Sequence, residues 1–116
     1  MAEVKAFQVE KPWGNFRQFT HNSSSTVKII TVNPGEALSL QSHKKRAEFW
    51  KVVKGDGIVE IDGVRMDIGE GGECEVPQGS KHRLAAGRSG IMVLEIATGN
   101  FDENDIVRFE DKYGRA

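Results

Sequence analysis

Two histidines, a glutamate and a glutamine stand in this sequence at spacings that suit a metal. Ser39, Gln41 and His43 are alternate residues. In a strand every second side chain points to the same face, so an inward His43 brings Gln41 and Ser39 inward with it. After the basic stretch that follows His43, Glu48 opens a further apolar segment on which Trp50 and Val52 share its face. His82 lies just past Pro77-Gln78-Gly79, a turn that sets the chain direction before another strand. Two imidazoles, one carboxylate and one amide oxygen form a mixed donor set for one divalent ion (Zn, Mn, Co, Ni or Fe), with positions left open for water or substrate. The amide of Gln41 is a poorer donor than a third imidazole, so binding should be weak enough to yield to mild chelation. Taken singly, each residue has an ordinary reading as a hydrogen-bonded core histidine or a solvated carboxylate. Only their joint pattern carries weight.

The elements that must carry these side chains read as β-strands. The 116 residues allow one domain, which buries roughly two-thirds of its unfolded surface. Thirteen glycines, three prolines and few runs of helix formers punctuate the chain with turns, the pattern of an all-β sandwich or barrel. Strands are expected at Phe16–Thr20, Thr26–Val32, Ala37–Gln41, Ala47–Val53, Ile58–Ile61, Val64–Ile68, Glu73–Val76, His82–Ala85 and Gly90–Ala97, with a last amphipathic run at Asp105–Glu110. Lys54–Gly57 reads as a turn, and Asp62-Gly63 suits a two-residue type I′ hairpin. Sixteen Lys and Arg against seventeen Asp and Glu, net charge -1, give no global attraction to nucleic acid or acidic membranes. No apolar run reaches the length of a signal segment or membrane span, and the lone Cys74 cannot close an internal disulfide. A reducing compartment, the cytoplasm, is the expected location.

The strings Gly35-x5-Gln41-x-His43-x4-Glu48-x6-Gly55 and Gly71-x5-Pro77-x-Gly79-x2-His82 resemble the paired motifs of cupins, with Gln41 where most cupins carry a first histidine. The resemblance implies a cupin fold, a double-stranded β-helix of jelly-roll type. Residues 1–116 would form a single cupin domain, 1–14 being an N-terminal arm and 100–116 a C-terminal signature segment. Val32–His43, Arg46–Gly55 and Asp105–Arg115 further resemble the isomerase module of type II phosphomannose isomerases, and the similarity begins near Pro12-Trp13-Gly14. In many members a mannose-1-phosphate guanylyltransferase domain precedes this module. No Gly-rich nucleotide-binding segment precedes Pro12 here, so the resemblance implies a stand-alone, metal-dependent mannose-6-phosphate isomerase acting on a sugar phosphate.

That chemistry assigns further residues. Aldose–ketose isomerisation needs a base to move a proton between adjacent carbons and a cation to stabilise the developing enediolate. Arg46, matched to an Arg-Ala-Glu motif of the family, is expected to act catalytically, on the substrate or its transition state, while Lys44 and Lys45 read as a solvated basic loop. Arg108 and Arg115 match arginines of the C-terminal signature and suit phosphate or hydroxyl recognition, or else pair with Glu110 and Asp111. Lys28, at a family-like Val-Lys position, and Ser39, on the Gln41 face, are candidate substrate ligands. Glu95, a carboxylate in the apolar strand Ile91–Ile96, is the candidate base or one half of a salt bridge. Phe49, Ala86, Ala97 and Asn104 depart from the family's His, Asn, Gln and Asp. The competing readings are a non-catalytic sugar-phosphate-binding cupin and a non-haem metal oxygenase built on His43, Glu48 and His82. A homodimer is expected, with Phe49, opposite in parity to Glu48, at its interface.

Overall fold

Ser25–Val32 alternates strictly, Thr26, Lys28 and Ile30 pointing inward and Val27 and Ile29 outward, as a strand with one buried face must. The computed structural model describes residues 5–116. Its strands are β1 (Phe7–Lys11), β2 (Gly14–Gln18), β3 (Ser25–Val32), β4 (Leu40–Ser42), β5 (Arg46–Ile61), β6 (Val64–Gly69), β7 (Glu73–Val76), β8 (His82–Gly99) and β9 (Val107–Glu110). No helix of the described residues is long and apolar enough to cross a membrane.

The framework is the antiparallel pair of the two longest strands, β5 and β8. The first half of β5 pairs with the second half of β8, flanked by β7 on one side and β3 on the other. Their remaining halves pair between β6 and the β4–β9 ribbon. Both long strands thus run through two walls, and the walls close on a core of Val32, Trp50, Val52, Val59, Val76, Leu84, Ile91 and Val93. This arrangement is the expected all-β jelly roll.

Several strand limits differ from the expected ones. Lys54–Gly57 does not reverse the chain. Register shifts between Val52 and Lys54 and between Gly55 and Gly57 bend one continuous strand, and Gly55 takes the left-handed backbone (φ 83°) that the bend requires. His82–Ala85 and Gly90–Ala97 likewise form one strand. At Asp62-Gly63 the expected hairpin is present, both residues having positive φ. The expected strand at Phe16–Thr20 starts earlier, at Gly14, and pairs with Phe7–Lys11, so much of the supposed arm is a hairpin; residues 1–4 of that arm lie outside the described residues. The alternating Phe7-Gln8-Val9-Glu10 was the available signal. Phe49 is a correction of another kind: it is 3% exposed and its ring packs 5.6 Å from that of Phe19, so it cannot offer a dimer surface.

Candidate metal centre

Glu48 reaches the barrel interior near the start of β5, where Ala97 of β8 and Val76 of β7 are its neighbours in register. His82 starts β8 and pairs in register with both Gln41 of β4 and Ile61 of β5. His43 immediately follows β4. These three elements converge so that ligand atoms of His43, Glu48 and His82 lie within 4.8 Å of one another, all three residues being buried. The Glu48 carboxylate sits between the rings, Oε2 at 3.5 Å from His43 Nε2 and Oε1 at 3.6 Å from His82 Nε2.

The tautomers follow from the hydrogen bonds. His43 Nδ1 lies 2.7 Å from the carbonyl of Asp105 and His82 Nδ1 lies 3.1 Å from that of Ser80. A carbonyl only accepts, so each Nδ1 carries the proton and each Nε2 lone pair faces Glu48. Burial lowers the pKa of both rings, His82 to about 4, which keeps them neutral and able to ligate near pH 7. Glu48 Oε1 is buried with no hydrogen-bond partner among the described residues. The guanidinium of Arg46 rests on the other oxygen, Nε to Glu48 Oε2 at 3.0 Å, and donates through Nη2 to His43 Nε2 at 3.2 Å. A buried set of lone pairs that already draws one cation fits a metal ion.

A cavity of about 250 Å³ opens beside this group, its wall including Lys28, Ser39, Gln41, Arg46, Glu48, His82, Glu95, Arg108 and Arg115. His43 stands behind that wall against Glu48. Gln41 donates its amide hydrogens to Ser39, at 3.1 Å to Oγ and 3.3 Å to the carbonyl, which leaves its oxygen as the atom free for a cation. Glu95 is buried and accepts the indole N–H of Trp50 at 3.3 Å, while its other oxygen is 3.7 Å from Lys28 Nζ, its cross-strand neighbour. Burial first, and then the charge of Glu48, push the Glu95 carboxyl up.

The two signature arginines differ. Arg115 holds Asp111 through two bonds of 2.7 and 3.0 Å, the ion pair named as its alternative. Glu110 pairs instead with Arg83 at 2.7 Å, and Arg108 Nε is buried with no hydrogen-bond partner among the described residues. Cys74 takes no part, its thiol pushed up to about 12 by burial.

Within the expected signature segment 100–116, the sequence reading gave no role to the residues that back the site. Phe101 lies under both Arg46 (4.3 Å) and Lys28 (4.7 Å), the Asp102 carbonyl accepts from Arg46 Nη1 at 3.3 Å, and Glu103 pairs with Lys28. Trp50 was placed by parity but not given its partners, Glu95 and the edge of the His82 ring at 5.7 Å. No local signal announces such contacts, because they join residues far apart in the chain.

Comparison with known proteins agrees with this architecture. CapF, a capsular polysaccharide assembling protein of Staphylococcus aureus, superposes with a TM-score of 0.67 at 18% identity, over 91% of this chain and 33% of that one. A cupin-2 domain protein of Rhodospirillum rubrum superposes with a TM-score of 0.64 at 17% identity, over 88% and 78%. The fold is a cupin. In sequence, the chain is 41% identical over 110 residues to mannose-1-phosphate guanylyltransferase ManC of Salmonella typhimurium and 40% identical to alginate biosynthesis protein AlgA of Pseudomonas aeruginosa, in each case over 93% of this chain. It spans 23% of the length of each. The family model described as mannose-6-phosphate isomerase C-terminal matches residues 2–111, and the chain belongs to that family.

Proposed function

We propose that this domain is a metal-dependent mannose-6-phosphate isomerase that interconverts mannose 6-phosphate and fructose 6-phosphate. The observation that carries the proposal is the buried His43–Glu48–His82 group beside a cavity lined with cations and with a carboxyl whose pKa is raised. His43, Glu48 and His82, with the Gln41 oxygen as a fourth donor, would hold one divalent ion. Such an ion supplies positive charge to oxygens on which negative charge develops.

The chain's own residues account for the rest. Glu95 is the candidate base: Trp50 anchors one oxygen and leaves the other at the cavity, and a raised pKa suits a carboxylate to exchange a proton near neutral pH. Arg46, in the cavity wall and steadied by Glu48, the Asp102 carbonyl and the Phe101 ring, is assigned to the sugar oxygens. Arg108, whose Nε lacks a partner among the described residues, suits the phosphate, and Lys28 adds a second cation to the same cavity wall. Arg115, already paired with Asp111, is assigned a supporting part at the mouth. Relatives named for alginate and xanthan biosynthesis support a product that feeds polysaccharide synthesis, and a cytoplasmic location belongs to the same proposal.

A coupled assay for fructose 6-phosphate with purified protein and a panel of Mn, Co, Zn, Ni and Fe(II) tests the reading. Metal-dependent turnover is expected, and Glu95→Gln should lower kcat by about two orders of magnitude while leaving metal affinity intact. Sugar-phosphate binding without turnover under any metal would replace the isomerase by a binding domain. Oxygen uptake with Fe(II) would replace it by an oxygenase.

A further inference from the structure

His43 can serve a cation only with its proton on Nδ1, because Nε2 is the atom that faces Glu48. His82 meets the same requirement locally, through the carbonyl of Ser80 two residues away. His43 relies on the carbonyl of Asp105, 62 positions further along the chain and two residues before β9 begins. That carbonyl has to be brought to the ring and kept there.

The Asp105 side chain provides the hold. Its two carboxylate oxygens accept the backbone N–H groups of Lys44 and Lys45, each at 2.9 Å. Those are the two residues directly after His43. A single residue thus gives its main-chain oxygen to the imidazole and its carboxylate to the backbone beside that imidazole, so ring and acceptor are tied as one unit. A further bond, from the Asp105 N–H to the Asp102 carbonyl at 3.0 Å, extends the tie to the segment that holds Arg46.

We propose that Asp105 is the positioning residue of the metal centre: its carboxylate clamps the Lys44–Lys45 backbone so that its carbonyl keeps the His43 proton on Nδ1 and the Nε2 lone pair toward Glu48. The proposal rests on the reading of His43, Glu48 and His82 as ligands. Removing a group that orients a ligating imidazole typically weakens metal binding by about 10- to 100-fold.

The test compares wild type, Asp105→Asn and Asp105→Ala as 116-residue chains, measuring Co(II) affinity by chelator competition and the imidazole tautomers by long-range ¹H–¹⁵N NMR of the metal-free proteins. Asp105→Ala should bind Co(II) about 10- to 100-fold more weakly, and His43 should lose its single Nδ1–H pattern while His82 keeps its own. Asp105→Asn keeps one of the two accepting oxygens and should fall between. If the alanine variant does not fold, the asparagine variant decides by the same two readouts. Co(II) affinity within about twofold of wild type in the folded variants overturns the clamp and leaves the metal reading standing. Loss of the tautomer pattern at both rings together also overturns it, since that marks general loosening. No Co(II) binding by wild type overturns the metal reading itself, and the clamp with it.

Discussion

His82 and Glu95 lie in the same buried pocket and respond to pH in opposite senses. Burial lowers the His82 pKa to about 4, against about 6.5 in an unfolded chain. Between those values the unfolded state binds more protons, so the His82 contribution to stability is present above about pH 6.5 and lost as pH falls toward 4. The Glu95 pKa is raised, so its contribution is present at low pH and lost as pH rises through the raised value. In chelator-treated protein, His82→Gln should therefore gain stability relative to wild type on acidification from about pH 6.5 to 4, by on the order of 2–3 kcal/mol. Urea denaturation across that range checks it, and a pH-independent difference between the two proteins would show that His82 is not the titrating group. The sequence already carried the identities and inward parity of His43, Gln41 and Glu48. It left Glu95 open between a raised pKa and a salt-bridge partner and did not carry the tautomers, because both depend on carbonyls and charged groups brought from elsewhere in the chain.

Strands β5 and β8 do the work of positioning because they bend. A Cβ on Gly57 would lie 2.1 Å from the Ala85 carbonyl oxygen in the facing strand. The two backbones approach too closely there for any side chain. Gly63, at the tip of the β5–β6 hairpin, has φ of 84° but nothing within 4 Å of a Cβ. Gly57→Ala should therefore cost about 2–4 kcal/mol, through forced movement of backbone, and Gly63→Ala only about 1–2 kcal/mol, through strain in the left-handed region. Equal losses in chemical denaturation would contradict the close-approach argument. Gly55 and Gly57 also explain why Lys54–Gly57 reads as a turn in the sequence. Locally, a bulge that bends a strand and a turn that reverses it ask for the same residues; the partner strand decides between them.

At the scale of the molecule, β3 is an edge. It pairs only with β8 among the described strands, and Val27 and Ile29 on its outer face are 57% and 52% exposed. An eight-residue strand with one open side and an apolar outer face is a template for pairing. We propose that two copies associate along this strand, in place of the surface first expected at Phe49. Light scattering should return twice the chain mass, and Ile29→Lys should return the single mass with unchanged circular dichroism. A monomeric wild type would refute the pairing.

By itself the sequence determined the class of fold, the type I′ hairpin, the inward face carrying Ser39, Gln41 and His43, and the family, because alternation, turn chemistry and motif spacing are local properties of the chain. Only the tertiary structure decided that Arg46 leans on Glu48 and His43, that Arg115 pairs with Asp111 while Arg108 Nε stays unpartnered among the described residues, and that Asp105 holds the His43 ring. The physical reason is range. Charges, carbonyls and rings act over a few ångströms in space, and the barrel brings together His43 and Asp105, Lys28 and Glu103, and Trp50 and Glu95 from positions that the linear spacing leaves unrelated.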